Sequence, residues 1–407
     1  MDAALLRRWT GATVAGRWPI GAGLEHTALL TSEGKVVAFG DDGGGQFEVP
    51  ELPSGLTCTQ VAAGGSQQVA AGGSHTVLLL SDGSVVAFGR NGHGQCDVPE
   101  LAAGLTCTQV SAGSNHTVLL TSEGTVVAFG RKSYGQCDVP ELAAGLTCTQ
   151  VAAGGSHHTV LLLSDGTVVA FGLDVHGQLD VPELAAGLTF TQVAAGDGHT
   201  VLLTSEGTVA AFGLNVHGQC DVPELAVGPT CTQVAAGGGH TVLLLSDGTV
   251  VAFGRNNYGQ CDVPELAAGL TFMQVAAGGS HTVLLLSDGS VVVFGRNNVG
   301  QCDVPELAAD VTYTAHLTPS LLLEASLEGG SLRFVTLGGV ERCRIAAGPA
   351  ACLADVYEQL AAHLRAGGFG YGVALVDAVL PGGRLLSGAA AGDTVASAFG
   401  AQPTSTT

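Results

Sequence analysis

Residues 71–95 read AGGSHTVLLLSDGSVVAFGRNGHGQ, and variants of this stretch recur along most of the chain. The histidine of its His-Thr pair returns at His26, His75, His116, His158, His199, His240 and His281. Successive histidines lie 49, 41, 42, 41, 41 and 41 residues apart. The first interval is long because residues 60–67 and 68–75 are tandem copies, QVAAGGSQ and QVAAGGSH. A fixed period of this length is typical of repeat architectures, so this stretch decides the fold.

Each repeat contains four segments that favour β-strands: Thr-Gln-Val-Ala-Ala, His-Thr-Val-Leu-Leu-Leu, Val-Val-Ala-Phe-Gly, and a short outer Gly-Gln-Cys-Asp closed by Val-Pro. Ser-Asp-Gly is a hairpin turn, in which glycine supplies a positive φ. Proline cannot donate to a ladder and marks an edge. Four antiparallel strands in every repeat predict an all-β fold, a seven-bladed β-propeller of four-stranded blades. An open β-solenoid is the alternative.

Residues 71–95 resemble the regulator of chromosome condensation repeat, and the resemblance covers about residues 14–310. It implies a seven-bladed propeller. The founding member of that family exchanges guanine nucleotide on a small GTPase through a protruding wedge, and it docks on chromatin. The only insertion that could act as a wedge here is Gln60–Gln67, which is short and apolar.

The repeat pattern ends after Pro305, and a different pattern follows. Strands are expected at Ser331–Leu337, Val340–Ile345 and Val373–Val379, with a helix at Ala351–Arg365. Residues 375–396 resemble the second half of ubiquitin-like domains. The predicted organisation is an extension at 1–13, a propeller at 14–317, a linker at 318–330, a small α+β ubiquitin-like β-grasp domain at 331–400 and a tail at 401–407. Either the N-terminal segment or Val311–Leu317 closes the ring.

Composition narrows the range of partners. The formal net charge is −21, and such a chain repels phosphate backbones, so we expect no nucleic-acid partner. Apolar runs are interrupted well before the ~18 residues that a membrane span needs. The N-terminus lacks the apolar core of a signal peptide. We therefore expect a cytoplasmic monomer, with a nuclear location also open.

Histidines and cysteines do not form an obvious reactive centre. Seven equivalent histidines lie on a ring, whereas metal ligands must converge on one ion. The insertion His157 is expected to be exposed. Cysteine alternates with leucine or phenylalanine at equivalent repeat positions, as at Leu179 and Phe190, which indicates packing sites. We expect no catalytic residue, no cofactor and no metal, and hence no enzyme.

The repeats differ most in the loop after Phe-Gly. A loop may vary where the scaffold may not, so the loops are the expected binding surface. The candidate partner-binding residues are Arg90, His93, Arg131, Lys132, Tyr134, His176, His217, Arg255, Asn256, Tyr258, Arg296 and Asn297. Strand counting places these loops on one face with the turns between first and second strands. Acids such as Asp82, Asp97 and Glu100 are expected on the other face.

These features predict a non-enzymatic protein-interaction scaffold that binds an acidic protein segment through the variable loops. The ubiquitin-like resemblance suggests an adaptor in a ubiquitin-related pathway. Nucleotide exchange on a small GTPase and inhibition of an enzyme are alternatives of other classes. Loops that serve only as solvated turns are the simplest alternative.

Overall fold

The computed structural model describes residues 19–46, 48–64, 75–155, 157–307 and 311–313, together with four strands between residues 323 and 379. The chain divides into two compact units, of which the larger spans Thr10–His316 and the smaller includes Leu317–Thr407. The described residues form strands, turns and loops and contain no helix. A helix able to cross a membrane is accordingly not found in this part of the chain.

The larger unit contains seven three-stranded antiparallel sheets, each made from one repeat. In chain order their strands are β1 Ile20–Ala22, β2 His26–Leu30 and β3 Val36–Gly40; β4 Cys58–Gly64, β5 His75–Leu80 and β6 Val85–Gly89; β7 Cys107–Ala112, β8 His116–Thr121 and β9 Val126–Gly130; β10 Cys148–Ala153, β11 His158–Leu163 and β12 Val168–Gly172; β13 Phe190–Ala195, β14 His199–Thr204 and β15 Val209–Gly213; β16 Cys231–Ala236, β17 His240–Leu245 and β18 Val250–Gly254; β19 Phe272–Ala277, β20 His281–Leu286 and β21 Val291–Gly295. The middle strand of each sheet pairs with both others.

The second sheet illustrates how one repeat folds. Strands β5 and β6 pair antiparallel, with His75 opposite Gly89. The turn between them needs a glycine, because Gly83 has φ +82 and a Cβ there would lie 2.5 Å from the Cβ of Thr106. Every residue of β5 is buried. Because both faces of a middle strand are covered, its sequence is a continuous apolar run instead of an alternating one. This accounts for the Val-Leu-Leu-Leu segment of β5.

Apolar clusters between neighbouring sheets link all seven sheets in a cycle. Ile20 and Leu29 of the first sheet pack against Val283 and Leu285 of the seventh, together with Tyr313. Because the last sheet contacts the first, burial of apolar surface favours a closed arrangement. The repeated three-stranded sheets thus resemble a propeller.

Both candidate segments take part in closure. The N-terminal segment supplies β1, whose Ile20 lies opposite Leu29. The segment after the last repeat supplies one isolated antiparallel bridge, between Tyr313 and Thr31. The predicted strand Val311–Leu317 is described only as far as residue 313. The first sheet therefore draws its inner strand from the N-terminal side.

The first strand of each sheet lines a shared central cavity of about 210 Å³. Neighbouring inner strands are joined by glutamine side chains. Gln150 Oε1 accepts from the Val193 N–H at 3.0 Å, and Gln150 Nε2 donates to the Val193 carbonyl at 3.2 Å. In four equivalent bonds a valine N–H donates to a carboxamide oxygen of the preceding sheet, namely Val110 to Gln60, Val151 to Gln109, Val234 to Gln192 and Val275 to Gln233. A side-chain amide therefore substitutes for the backbone ladder that separate sheets cannot form.

The predicted fourth strand is wrong for the described repeats. Residues 94–97, the Gly-Gln-Cys-Asp segment of the second repeat, form turns. The Asp97 N–H donates to the Gly94 carbonyl at 3.2 Å, and the Val98 N–H donates to the Cys96 carbonyl at 2.9 Å. These local bonds use the backbone groups that a strand would offer to its neighbour. Each described sheet of the larger unit consequently has three strands.

The tandem duplication lengthens one inner strand. β4 has 7 residues, whereas β7 has 6. The extra pairing places Gly64 opposite His75. Residues 65–74, which hold the rest of the duplication, lie outside the described residues.

The smaller unit contains a mixed four-stranded sheet. Its strands are β22 Leu323–Glu328, β23 Ser331–Thr336, β24 Glu341–Ala346 and β25 Ala378–Val379, in the order β24-β23-β22-β25. Two predicted strands match β23 and β24. The predicted linker 318–330 is wrong in part, because it contains β22, which pairs antiparallel with β23. The predicted helix 351–365, the extension 1–13 and the tail 401–407 lie outside the described residues, so the ubiquitin-like fold stays a prediction.

Candidate functional site

A ring of buried hydrogen bonds joins every sheet of the larger unit to the next. The Nε2 atom of each repeat histidine lies 2.9–3.2 Å from a threonine Oγ1 of the following sheet. The pairs are His26–Thr76, His75–Thr117, His116–Thr159, His158–Thr200, His199–Thr241, His240–Thr282 and His281–Thr27. The last pair returns to the first sheet, so the ring closes.

The chemistry of the ring fixes its protonation. Each threonine donates its only hydroxyl proton to the carbonyl of a Gly-Gln glutamine, at 2.7–2.9 Å. It must therefore accept from the histidine Nε2–H. Burial lowers the pKa of His199 to about 3 and that of His240 to about 4, so these rings are neutral near pH 7. The repeat histidines thus have a structural role, in which each donates to a threonine of the next sheet.

The buried glutamine of each Gly-Gln pair holds the variable loop in place. In all seven repeats its Oε1 accepts the backbone N–H of the residue two positions earlier, at 2.9–3.1 Å. The donors include Tyr134 and Tyr258. The same glutamine's carbonyl accepts from the threonine of the ring. The backbone beneath the variable side chains is thereby tied to the buried core.

The variable loops lie beside the turns that connect first and second strands, as predicted. The Arg131 N–H donates to the Asn115 carbonyl at 2.8 Å, and the Arg255 N–H donates to the Gly239 carbonyl at 2.7 Å. We name this end of the sheets the variable face, formed by the loops 41–45, 90–94, 131–135, 173–177, 214–218, 255–259 and 296–300. The Ser-Asp-Gly and Ser-Glu-Gly turns lie at the opposite ends of the strands.

The loop of the third sheet forms an aromatic and basic cluster with the fourth sheet. The Arg131 guanidinium lies 5.1 Å from the centroid of the Tyr134 ring, and Arg131 Nη1 donates to His157 Nε2 at 3.1 Å. Tyr134 and His157 meet edge to face at 5.2 Å between ring centroids. We name Arg131, Tyr134 and His157 the third-sheet cluster. It presents a guanidinium held over an aromatic face, an arrangement that cation–π attraction stabilises.

The expectation that His157 is exposed is wrong. This one-residue insertion adopts a positive φ of 61°, and its ring is half-buried beneath Arg131 and Tyr134. Burial, aided by the charge of Arg131, lowers the pKa of His157 to about 4. The neutral ring can therefore accept the guanidinium proton, and the insertion builds part of the surface.

A second cluster joins the sixth and seventh sheets. Arg255 and Arg296 lie 5.8 Å and 5.5 Å from the centroid of the Tyr258 ring. Arg296 Nη1 also forms an ion pair with Glu25 Oε1 at 2.5 Å, which links the seventh sheet to the first. We name Arg255, Tyr258 and Arg296 the sixth-sheet cluster. The sequence offered no sign of the Glu25 ion pair, because its partners stand at opposite ends of the repeat array.

His176 and His217 pack across to the following sheet. A Cβ at Gly198 would lie 3.4 Å from His176 Cδ2 and 3.2 Å from Leu214 Cβ. The equivalent glycine of the sixth sheet lies in the same way between His217 and Arg255. These glycines leave room for the histidine rings. The loops of the fourth and fifth sheets therefore each lie against a turn of the following sheet.

Two exposed valines occupy equivalent loop positions in the fourth and fifth sheets. Val175 is 62% exposed and Val216 is 70% exposed. The other five loops carry small or polar residues here, namely Gly43, Gly92, Ser133, Asn257 and Asn298. We name Val175 and Val216 the valine pair.

Asn256 and Asn297 hold their loops in shape through their amide groups, and both side chains are exposed on the variable face. Asn256 Nδ2 donates to Asp262 Oδ1 at 2.7 Å, and its Oδ1 accepts the Cys261 N–H at 2.9 Å. Asn297 forms the same two bonds with Asp303 and Cys302. Both ends of each amide are therefore used within the loop.

The placement of Asp97 on the opposite face is also wrong. Asn91 Nδ2 donates to Asp97 Oδ1 at 2.7 Å, so this aspartate belongs to the variable loop. Asp82 remains at the opposite end, where Ser84 donates both its N–H and its hydroxyl to Asp82 Oδ1. These bonds hold the pKa of Asp82 below its usual value. The two faces differ less in charge than a simple count of acids suggests.

The remaining candidate residues also lie on the variable face. Arg90 is half-buried beside Gly44, where a Cβ would lie 3.4 Å from the Arg90 Cβ. His93 and Lys132 are exposed. Together with the third-sheet cluster they make the second and third sheets the more basic part of this face.

The cysteines are packing residues, as predicted. The nine cysteines between residues 58 and 302 are free thiols. Cys107 donates from Sγ to the Gln109 carbonyl at 3.1 Å, and Cys261 donates to the Arg255 carbonyl at 3.3 Å. Burial raises the pKa of both thiols to about 11. Thiols in this state are poor nucleophiles at neutral pH.

A search of family models matches six segments of the chain to the regulator of chromosome condensation (RCC1) repeat, at residues 67–95, 107–136, 148–178, 190–219, 231–260 and 274–301. No curated protein sequence matches the chain.

Solved structures with a similar fold include Prp20p of Saccharomyces cerevisiae, with 22% identity, a TM-score of 0.51 and coverage of 63% of this chain and 78% of that one. The ectodomain of the receptor kinase CR4 of Physcomitrella patens has 17% identity, a TM-score of 0.54 and coverage of 78% and 80%. The ACR4 ectodomain of Arabidopsis thaliana has 19% identity, a TM-score of 0.51 and coverage of 69% and 96%. The chain therefore carries six RCC1 repeats in a fold similar to that of RCC1 propeller proteins.

Proposed function

We propose that the larger unit is a closed seven-bladed β-propeller that serves as a non-enzymatic protein-interaction scaffold and binds an acidic protein segment on its variable face. The observation that carries this proposal is the gathering of arginine and tyrosine side chains on loops whose backbone is tied to a buried ring. Arginine and tyrosine are enriched at interface hot spots. A preorganised surface loses less entropy on binding than a flexible one.

Charge supports an acidic partner. Four of the loops carry an arginine at their first position, namely Arg90, Arg131, Arg255 and Arg296. Arginine forms bidentate bonds with carboxylates. The chain as a whole carries −21, so we expect an acidic segment to be held by direct contacts with these arginines and not by the overall field of the protein.

The test is affinity capture from lysate with charge-reversal variants. The four loop arginines changed together to glutamate should lose the partners that the intact protein retains, and Arg131→Glu alone should weaken them. Lys35→Glu is the matched control, because Lys35 lies in a Ser-Glu-Gly turn at the opposite end and its side chain is 77% exposed. Capture of the same proteins by the intact chain and by the fourfold variant would overturn the proposal.

Nucleotide exchange on a small GTPase is the second candidate, and the RCC1 repeat match favours it. The structure of Prp20p was reported together with its binding to Gsp1p and histones. The insertion at residues 60–67 that could act as a wedge is described only as far as residue 64. Accelerated release of labelled GDP from a panel of small GTPases would favour this candidate over a passive scaffold.

A further inference from the structure

The variable face divides into sectors of different chemistry along the cycle of sheets. The first sheet contributes Asp41 and Asp42. The third-sheet cluster and the sixth-sheet cluster are basic and aromatic. The fourth and fifth sheets lie between these clusters and carry no arginine or lysine in their loops. Leu173 and Leu214 stand there where four other loops have arginine.

The sector between the clusters is the apolar part of the face. Its valine pair is 62% and 70% exposed. A single exposed valine needs no explanation. Two of them at equivalent positions in neighbouring sheets place exposed aliphatic surface on this sector of the face.

Acidic side chains of the protein repel a ligand carboxylate at two places on the variable face, the fourth sheet and the first sheet. Asp174 is exposed in the same loop as Val175. Asp41 and Asp42 lie on the first sheet, beyond the sixth-sheet cluster, where Glu25 also neutralises part of the charge of Arg296. Like charges brought together at an interface are unfavourable and fix the register of a partner. An acidic segment is thereby disfavoured on the first sheet, and the arc from the third sheet to the sixth is the part of the face on which two basic clusters flank the valine pair.

We infer that this arc, the third-sheet cluster, the valine pair and the sixth-sheet cluster in that order, binds an extended protein segment in which aliphatic side chains stand between two acidic groups. The inference rests on the proposed function and specifies its ligand. One acidic group contacts Arg131 beside the 43% exposed ring of Tyr134. The other contacts Arg255 beside the 46% exposed ring of Tyr258. The aliphatic side chains cover the valine pair.

Three fluorescein-labelled peptides and the full chain test this inference by fluorescence anisotropy. The first peptide has a glutamate pair at each end and a leucine pair in the middle. The second replaces the leucines with glycines, and the third has the same residues as the first with all glutamates at one end. We expect the first peptide to bind at least about tenfold more tightly than the others, the factor that burial of one apolar side chain produces.

Matched variants locate the effect. Val175→Asn with Val216→Asn introduces the residue that the sixth and seventh sheets carry at this position, so the loops should fold normally. It should remove the advantage of the first peptide over the second and leave the affinity of the second unchanged. Val227→Asn is the control, because Val227 is 105% exposed and lies before the inner strand of the sixth sheet, at the opposite end. It should change neither affinity.

The outcomes separate the two proposals. If all three peptides bind with equal affinity and Arg131→Glu abolishes that binding, the variable face binds acidic segments. The inference that aliphatic side chains must stand between two acidic groups would then be overturned. Binding that survives Arg131→Glu and Arg255→Glu, or no binding by any acidic peptide, would overturn both. An advantage of the first peptide that persists in the double valine variant would also overturn the inference.

Discussion

On acidification from neutral pH the protein is expected to unfold near pH 5, where most carboxylates are still ionised. Burial lowers the pKa of the seven ring histidines from 6.5 to about 3 or 4 in the folded chain. Below pH 6.5 the unfolded chain therefore binds more protons, and stability falls as pH falls. The loss is about 1.4 kcal/mol per histidine for each pH unit, so seven histidines reach about 10 kcal/mol within one unit. That is comparable with the whole stability of a typical domain, about 5–15 kcal/mol.

Urea unfolding followed by circular dichroism at a series of pH values checks this result. The variant His199→Gln keeps a side-chain N–H that can reach Thr241 and removes one titrating group, so its stability should depend less steeply on pH. Carboxylates act in a lower window, because hydrogen bonds from Ser84 and Thr167 hold the pKa of Asp82 and Asp165 below the usual value. A urea midpoint that stays constant between about pH 7 and about pH 5 would contradict the buried neutral ring.

Gly196→Ala is expected to destabilise the larger unit by about 3 kcal/mol or more. A Cβ at Gly196 would lie 2.4 Å from His199 Cε1 and 2.6 Å from the Gly237 carbonyl oxygen. Neither neighbour can withdraw easily. The His199 ring is held by Thr241 at 3.0 Å, and the Gly237 carbonyl accepts a backbone bond from Asp197 at 3.1 Å.

Gly92→Ala is the matched control for this substitution. Gly92 lies on the variable face, has nothing within 4 Å of its Cβ position and is not in a positive-φ conformation. Its replacement should change the stability by no more than about 0.5 kcal/mol. Equal urea midpoints for Gly196→Ala and the intact protein would show that the close packing around the histidine ring is wrong.

Most of the fold could be predicted from the repeat period of the sequence. The strand positions follow from the apolar segments of each repeat, and the hairpin turns follow from Ser-Asp-Gly. Both features recur in successive repeats. The prediction of a fourth strand was wrong because the Gly-Gln-Cys-Asp segment can adopt either an extended or a turn conformation. Which one it adopts depends on local backbone hydrogen bonds to the carbonyls of Gly94 and Cys96. The prediction placed Asp97 on the wrong face for a related reason. Counting strands along a repeat does not reveal the hydrogen bond between Asn91 and Asp97.

The site was predictable only as a set of loops. Variation between repeats identified the loops correctly, because scaffold positions are constrained and loop positions are not. The contacts between loops were not predictable, since Tyr134 and His157 meet across two sheets. The one-residue longer interval before His158 was a visible signal. It marks the insertion that completes the third-sheet cluster.

Hydrogen–deuterium exchange with and without the leucine-containing acidic peptide tests the central claim, that the variable face is the binding surface, most directly. We expect the peptide to slow exchange in the loops 131–135, 173–177, 214–218 and 255–259. The turns around Asp82, Asp165 and Asp247 at the opposite ends of the strands should be unchanged. Protection confined to those turns, or to the strands of the smaller unit between residues 323 and 346, would contradict the account.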